Sequence, residues 1–371
     1  MPIRPARGSS LRLFSFITRL VTLRECFELP VENRILKRDL LAWYDRNRRV
    51  LPWRAGVGER ADPYRILVSE VMLQQTVVKT VEPRFHMFVN RFPAVEALAA
   101  ASVDEVLHAW QGLGYYRRAR GLHRAAGEIV RNHGGRIPDD VETLEGLPGI
   151  GAYTARAIAA IAFNRPVAPV DGNVRRVLAR LAAIDRPATK LAAPIAALAR
   201  KLESDFRASD TAQALMELGA LCCRPANPAC GTCPWERCCR SRALGLETSL
   251  PRPPERTRRP ELFATAWLAR RSDGAILFRR RPDEGLLGGL IELPSSPWCG
   301  TNAIVEPDFG TGFALLPGSV RHVFTHIRLE MRVMTGQCET HPDGFFHPPD
   351  ERATLALPTL TRKLLRHAGL D

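Results

Sequence analysis

The stretch Leu147-Pro-Gly-Ile-Gly151, running directly into Ala152-Tyr-Thr-Ala-Arg-Ala-Ile158, decides how the first two thirds of the chain are read. The second part is a helix-forming run. The glycines before it allow a tight hairpin between two helices and let a phosphate approach backbone N–H groups at a helix N-terminus. Nothing in the hairpin reads base edges, so such a grip is indifferent to nucleotide sequence. Taken alone, the pentapeptide is also compatible with a plain helix–helix turn.

Outward from the hairpin the pattern stays helical, from Leu36 to about Arg242. Leu36, Leu40, Leu41 and Tyr44 form an apolar face backed by Lys37, Arg38, Asp45 and Arg46. Ser102-Val-Asp-Glu105 reads as a capping box ahead of Val106, Leu107 and Trp110. Ala-rich runs at 154–163 and 191–200 read as buried helices. The expectation is an all-α block over 34–246. Residues 247–260 follow as a linker, because Pro251, Pro253, Pro254 and Pro260 alternate with Arg252, Arg256, Arg258 and Arg259. Beyond it the period becomes two. Phe263, Thr265 and Trp267 alternate with small residues, Ser272-Asp-Gly274 supplies a turn, and Ile276–Phe278 resumes the strand. Ile327, Leu329, Met331 and Val333 alternate with Arg328, Glu330 and Arg332, and the tail around Leu360–Leu370 is helical. Residues 261–371 are therefore expected to be a smaller α+β domain. Residues 1–33 carry Arg4, Arg7, Arg12, Arg19 and Arg24 early on and read as a disordered basic extension.

The 371 residues, 45% of them hydrophobic and 25% charged, describe an ordinary globular chain of more than one domain. No run approaches the ~20 apolar residues that a membrane-spanning helix needs. A net charge of +14 makes nucleic acid the first partner to consider, ahead of a membrane surface. Of nine cysteines, Cys222, Cys223, Cys230, Cys233, Cys238 and Cys239 crowd together, which in a long chain without a secretory signal suggests metal binding in a reducing compartment. The spacing Cys223-x6-Cys230-x2-Cys233-x5-Cys239 suits zinc or an iron–sulfur cluster, and free thiols remain open. Which member of each doublet is the ligand is also open.

Two acids stand out. Glu70 lies in the otherwise uncharged Ser69-Glu-Val-Met-Leu-Gln-Gln-Thr76, and Asp171 in Val170-Asp-Gly-Asn-Val174 after an apolar run. A helix-cap or solvated role is the ordinary fate of either. Two carboxylates flanking a sugar carbon are, however, what glycosidic cleavage uses, one protonated to assist the leaving group and one anionic against the oxocarbenium charge.

These motifs stand in one order with Gly112-Leu-Gly-Tyr-Tyr116, Leu147–Gly151, Asp171-Gly-Asn-Val-Arg-Arg-Val-Leu178 and the cysteine spacing. Together they closely resemble the MutY family of adenine DNA glycosylases, within the endonuclease III-like helix-hairpin-helix superfamily, over roughly residues 36–370. The resemblance implies that Glu70 protonates adenine directly or through water. It implies that Asp171 stabilises or traps the sugar cation, with Asn173 and Tyr153 orienting acids and water. Trp53, Arg54, Leu73 and Gln213 match the pocket for a flipped adenine, and Gln75 and Tyr115 match residues that fill or wedge the distorted stack. Leu147, Gly149 and Gly151 belong to the DNA-binding hairpin. Cys223, Cys230, Cys233 and Cys239 match the ligands of a 4Fe–4S cluster, leaving Cys222 and Cys238 as bystanders. Tyr153 stands where strand-nicking members carry a lysine, which implies a monofunctional hydrolase.

The second block resembles the Nudix-like domain at the end of that family. Phe324-Thr-His326 matches its Phe-Ser-His loop against 8-oxoguanine, with Thr325 keeping the hydroxyl. No Glu-rich run follows Gly288-Gly-Leu-Ile-Glu292, so pyrophosphohydrolase activity is not expected. The implied partner is double-stranded DNA holding an adenine:8-oxoguanine or adenine:guanine mispair, bound by a monomer in the bacterial cytoplasm. The rival readings are an endonuclease III-like pyrimidine-lesion glycosylase/lyase and a non-catalytic metal-containing DNA-binding module.

Overall fold

Helix α1 (Asn33–Asn47) buries Leu36, Leu40, Leu41, Trp43 and Tyr44, the face expected from its periodicity. In this computed structural model the described residues are 32–370, apart from 57–58, 204, 254–257 and 352–353. The basic extension expected over 1–33 thus lies almost wholly outside the described residues. The helical block continues through α2 (Pro63–Leu73), α3 (Val78–Arg91), α4 (Val95–Ala100), α5 (Val103–Ala109) and α6 (Arg117–His133). It then runs through α7 (Val141–Gly146), α8 (Ala152–Phe163), α9 (Gly172–Leu181), α10 (Ala192–Leu202), α11 (Ala208–Glu217) and α12 (Arg240–Ala243). Ser102 and Glu105 form the reciprocal capping box that starts α5. Among the described residues no helix is long and apolar enough to cross a membrane.

Two clusters form the helical core. One gathers α2 to α8 around Phe85, Phe88 and Trp110, and the other gathers α1, α9, α10 and α11 around Tyr44, Leu178 and Trp235. The hairpin of 147–151 joins α7 to α8. Gly149 takes a left-handed φ of 80° and lies so close to α6 that a Cβ there would stand 2.9 Å from the Gly121 Cα. Its glycine is thus demanded by packing as well as by the turn.

The sheet block is ordered β3 (Ile291–Glu292), β2 (Ile276–Arg280), β1 (Glu261–Arg270), β6 (Arg328–Gln337), β4 (Thr311–Leu315), with β5 (Val320–Val323) added to β6 and β7 (Gly344–His347) to β2. Strands β1 (Glu261–Arg270) and β6 (Arg328–Gln337) run parallel in continuous register from Glu261↔Arg328 to Arg270↔Gln337. The alternation read for β6 is present, with Leu329, Met331 and Val333 buried. The middle of β1 is buried on both faces, because Ala264, Ala266 and Leu268 are covered as well as Thr265 and Trp267. β2 (Ile276–Arg280) returns antiparallel after the turn at Gly274. β3 (Ile291–Glu292), β4 (Thr311–Leu315), β5 (Val320–Val323), β7 (Gly344–His347) and the terminal α13 (Thr359–His367) complete the block.

The blocks are joined by more than the Pro/Arg segment. Leu290 and Ala356 pack into the helical core. Arg280 pairs with Asp104 at 2.9 Å, Arg120 with Asp283 at 2.8 Å, and the Gln111 amide donates to the Leu355 carbonyl at 3.0 Å. The segment itself is anchored where Arg180 donates to the Leu250 carbonyl (2.7 Å) and Arg252 pairs with Asp185 (2.7 Å).

Candidate active site

Helix α2 begins at an Asp62 N-cap followed by Pro63, a favoured start. Nearly all of it is buried, and Glu70 is the acid it carries into the interior, only 5% exposed. The Tyr153 hydroxyl, on the first turn of α8, donates to Glu70 Oε2 at 3.0 Å. Burial pushes the Glu70 carboxyl up to about 7. The nearby Asp171 charge raises it further, while the Tyr153 hydrogen bond and the Arg54 charge oppose.

Asp171 is the N-cap of α9, its Oδ1 accepting from the Val174 N–H at 2.7 Å. Its Oδ2 accepts from Asn173 Nδ2 at 2.8 Å. Both carboxylate oxygens are thus held at the N-terminus of α9. The chain of contacts continues, because Arg176 donates to Asn173 Oδ1 (2.9 Å) and, through Nε, to the Cys223 carbonyl (2.7 Å).

Both acids line one cavity of about 1300 Å³, which also reaches Trp53, Arg54, Leu73, Gln213, Gln75, Gly149, Gly151, Tyr153 and Asn173. Every residue expected in the chemistry or in the adenine pocket is therefore brought to it. Trp53 is buried edge-on against Phe85, 5.3 Å between ring centroids. Arg54 is fixed by Glu217 of α11 at 2.9 Å, and Arg49 grips the same carboxylate at 2.7 Å. Burial would raise Glu217, but the two guanidiniums win and hold it down at about 2. Gln213 is tied to Ser209 at 3.2 Å and stays half-buried.

At the rim, Gln75 (φ 56°) and Tyr115 (φ 47°) both adopt the left-handed backbone that non-glycine residues rarely take, and both side chains are exposed. Gly151 has open space where a Cβ would stand, so a phosphate has room at the start of α8. Leu147 is different: its side chain is buried at 3% exposure and its N–H bonds to the Leu144 carbonyl. It braces the hairpin and has neither a side chain nor an N–H to offer DNA. In the sheet block, half-buried Phe324 stacks on Trp298 (5.7 Å between centroids), while Thr325 and His326 are exposed. Thr325 meets Tyr115, hydroxyl to hydroxyl, at 2.8 Å.

The cysteines lie on short turns after α11. Cys222 is buried, its thiol donating to the Ala229 carbonyl at 3.1 Å, and the Cys238 thiol donates to the Trp235 carbonyl at 3.4 Å. Arg180 donates to the Cys223 sulfur at 3.4 Å. Among the described residues no three Cys, His, Asp or Glu side chains stand in ready metal-binding geometry, and Cys233 shares a hydrogen bond with Cys222. By chemistry, four thiols crowded between residues 223 and 239 are the soft donor set that suits an iron–sulfur group.

Sequence reasoning missed Glu217, Arg49, Arg118 and Arg176. Glu217 carried the signal that singled out Glu70, a lone acid in an otherwise uncharged helical run (Ala212–Cys223). The arginines carried none, being ordinary members of a chain with 53 Lys and Arg.

Residues 68–201 match the HhH-GPD superfamily of base excision DNA repair proteins, and residues 265–367 match the NUDIX domain. An adenine DNA glycosylase of Homo sapiens is 34% identical over 411 residues, covering 92% of this chain and 75% of that one. One of Mycolicibacterium smegmatis is 49% identical over 212 residues, covering 56% of this chain and 70% of that one. The structure of a thermostable thymine-DNA glycosylase superposes with a TM-score of 0.51 at 26% identity, covering 57% of this chain and 97% of that one. With a helical hairpin block, a Nudix-like sheet block, two acids in one cavity and these likenesses, the chain belongs to the adenine DNA glycosylase family.

Proposed function

We propose that the chain removes adenine mispaired with 8-oxoguanine or guanine in duplex DNA by hydrolysing its N-glycosidic bond, leaving the strand uncut. The observation that carries this reading is the pairing, in one cavity, of a carboxyl raised to about 7 (Glu70) with a carboxylate held by two donors at a helix N-terminus (Asp171). Near neutral pH a large share of Glu70 is protonated. It delivers that proton to the adenine ring as the C–N bond breaks and the bonding pair leaves with the base. Asp171 meets the positive charge left on the sugar, and water adds to the sugar carbon, its proton passing to the now anionic Glu70, giving an abasic site. The Tyr153 hydroxyl holds Glu70 in place, and Asn173 holds Asp171. Lys79 is the lysine among the cavity-lining residues, and it stands exposed at the start of α3, while Tyr153 occupies the hairpin position. This favours hydrolysis over a lyase step.

The pocket of Trp53, Arg54, Leu73 and Gln213 receives the extruded adenine, Gln75 and Tyr115 enter the stack it leaves, and Gly149 and Gly151 face the backbone. Phe324, Thr325 and His326 read the oxidised base opposite. Cys223, Cys230, Cys233 and Cys239 would hold a 4Fe–4S cluster, which supplies a structural cross-link for the basic loop around Arg224 and Arg237. One chain carries both the chemistry and the reading of the partner strand, which supports a monomer at work wherever DNA resides, in bacteria the cytoplasm. The test is single-turnover excision on adenine:8-oxoguanine, adenine:guanine and adenine:thymine duplexes. Release of free adenine with alkali-labile, otherwise intact strands, fastest opposite 8-oxoguanine, is the expected pattern.

A further inference from the structure

Arg118, the second residue of α6, is half-buried beneath the two rim loops. Its Nη1 donates to the carbonyls of Val71 (3.0 Å), Met72 (2.7 Å) and Gln74, and its Nη2 to Thr76 Oγ1 (2.9 Å), the Leu113 carbonyl (3.1 Å) and the Gly114 carbonyl (3.2 Å). The guanidinium also lies over the Trp110 ring at 5.5 Å and the Tyr115 ring at 5.4 Å. Its Nε has no partner, and among the described residues no carboxylate forms an ion pair with it. Burial accordingly lowers its pKa to about 10.

Partly burying a cation against neutral partners, with no carboxylate among them, is costly. Capping the C-terminus of α2 does not account for the expense, since water or a glycine turn satisfies such carbonyls at little cost. What Arg118 does that water cannot is hold two separate loops with one planar, rigid fork. The carbonyls of Gln74 and Gly114 belong to the residues immediately before Gln75 and Tyr115, the two left-handed positions at the rim. The same fork grips the end of α2 just after Glu70.

We propose that Arg118 is a positioning residue for base extrusion: it locks the Gln75 and Tyr115 loops at one spacing from each other and from Glu70, so that both enter the base stack together. The inference rests on the reading of Gln75 and Tyr115 as stack-entering residues. Without the fork each loop relaxes toward ordinary backbone, and the wedges reach the duplex out of step. Chemistry on an adenine that is already unstacked needs no such coordination.

The test compares the full chain with Arg118→Met and Arg118→Lys, the second retaining the charge and part of the donor set. Two duplexes are used, one with adenine opposite 8-oxoguanine and one with adenine opposite an abasic-site analogue, which is extruded more easily. Single-turnover excision of the paired adenine is expected to fall about a hundredfold in Arg118→Met, the scale of a misplaced reacting group. Excision opposite the analogue is expected to fall far less, with Arg118→Lys in between. The fluorescence rise of 2-aminopurine placed at the target should shrink in the same order. Equal losses on both duplexes, or no loss on either, would overturn the proposal. Gln75→Ala and Tyr115→Ala separate it from the reading beneath it. If they leave the ratio between duplexes unchanged, the stack-entering reading is wrong and the inference goes with it. If they lower the ratio while both Arg118 variants preserve it, only the role of Arg118 is wrong.

Discussion

The hydroxyls of Tyr115 and Thr325 lie 2.8 Å apart, although 210 positions separate them in the chain. One belongs to the loop before α6 and the other to the loop after β5, so the contact joins a rim residue of the helical block to the expected lesion-reading loop. Arg259, near the end of the Pro/Arg segment, donates to the Thr325 carbonyl at 3.0 Å. A duplex seated on the cavity would thus meet the adenine pocket and the Phe324–His326 loop together.

Replacing both Phe324 and His326 by alanine should leave excision opposite guanine nearly intact and reduce the preference for 8-oxoguanine. At the usual scale of a lost base contact, about 1–3 kcal/mol of discrimination is at stake for each residue. Thr325→Ala alone should cost less, because water can replace its hydroxyl. The ratio of single-turnover rates on duplexes differing only in the oxidised guanine measures this. An unchanged ratio would move lesion reading into the helical block.

Glu70 sets a pH dependence. A general acid with a pKa of about 7 is protonated below that value, so excision should decline as pH rises through about 7. Tyr153→Phe removes the hydrogen bond that favours the carboxylate, so the declining limb should move to higher pH even as the rate falls. A limb that stays in place would show that another group titrates. The same shift touches stability. The folded-state pKa lies above the ordinary 4.5, so the protonated carboxyl contributes stability that is complete below about 4.5 and lost as pH rises towards 7. Glu70→Gln should therefore raise the melting temperature at pH 8 relative to the parent.

Glu217 acts with the opposite sign. Its folded-state pKa of about 2 lies below 4.5, so its contribution is present above about 4.5 and fades as pH falls towards 2. Glu217→Gln leaves Arg54 and Arg49 without their anion in a largely buried setting and should cost about 3 kcal/mol in urea unfolding at pH 7. A loss confined to a few tenths of that would mean that neither arginine depends on it.

Most of the cavity was legible beforehand because its residues lie in motifs whose order carries information. Glu70 and Asp171 stand out against the uncharged or apolar residues around them, whereas Tyr153 is marked only by the family resemblance. The hairpin was legible too, but not its division of labour: Leu147 proved to be core, since helix packing around Leu144 and Ile150 closes over it. The roles of half-buried Arg118 and buried Arg180 could not be read, because an arginine held by carbonyls looks in sequence like any solvated one. The doubly covered middle of β1 was hidden for a related reason. Small residues between Phe263 and Trp267 imitate an exposed face, whereas Ala264, Ala266 and Leu268 in fact pack into the core of the sheet block with Leu360 and Leu364 of α13.

Cys230→Ser should lower the iron content of the purified full chain and weaken DNA binding more than the chemical step. Serine is a poorer, harder donor for iron than thiolate. Iron quantitation, the visible absorption spectrum and a binding isotherm at fixed salt together test this. Full iron and unchanged binding would remove Cys230 from the ligand set, and zinc in place of iron would change the identity of the centre.

The central claim is that Glu70 delivers the proton that releases adenine. Its most direct measurement is single-turnover excision by Glu70→Gln on an adenine:8-oxoguanine duplex, with binding followed on the same DNA. The amide keeps size and hydrogen-bonding reach, so binding should persist while excision falls by roughly 10²–10⁴-fold, the usual worth of a general acid. Excision at the parent rate with intact binding would contradict the account.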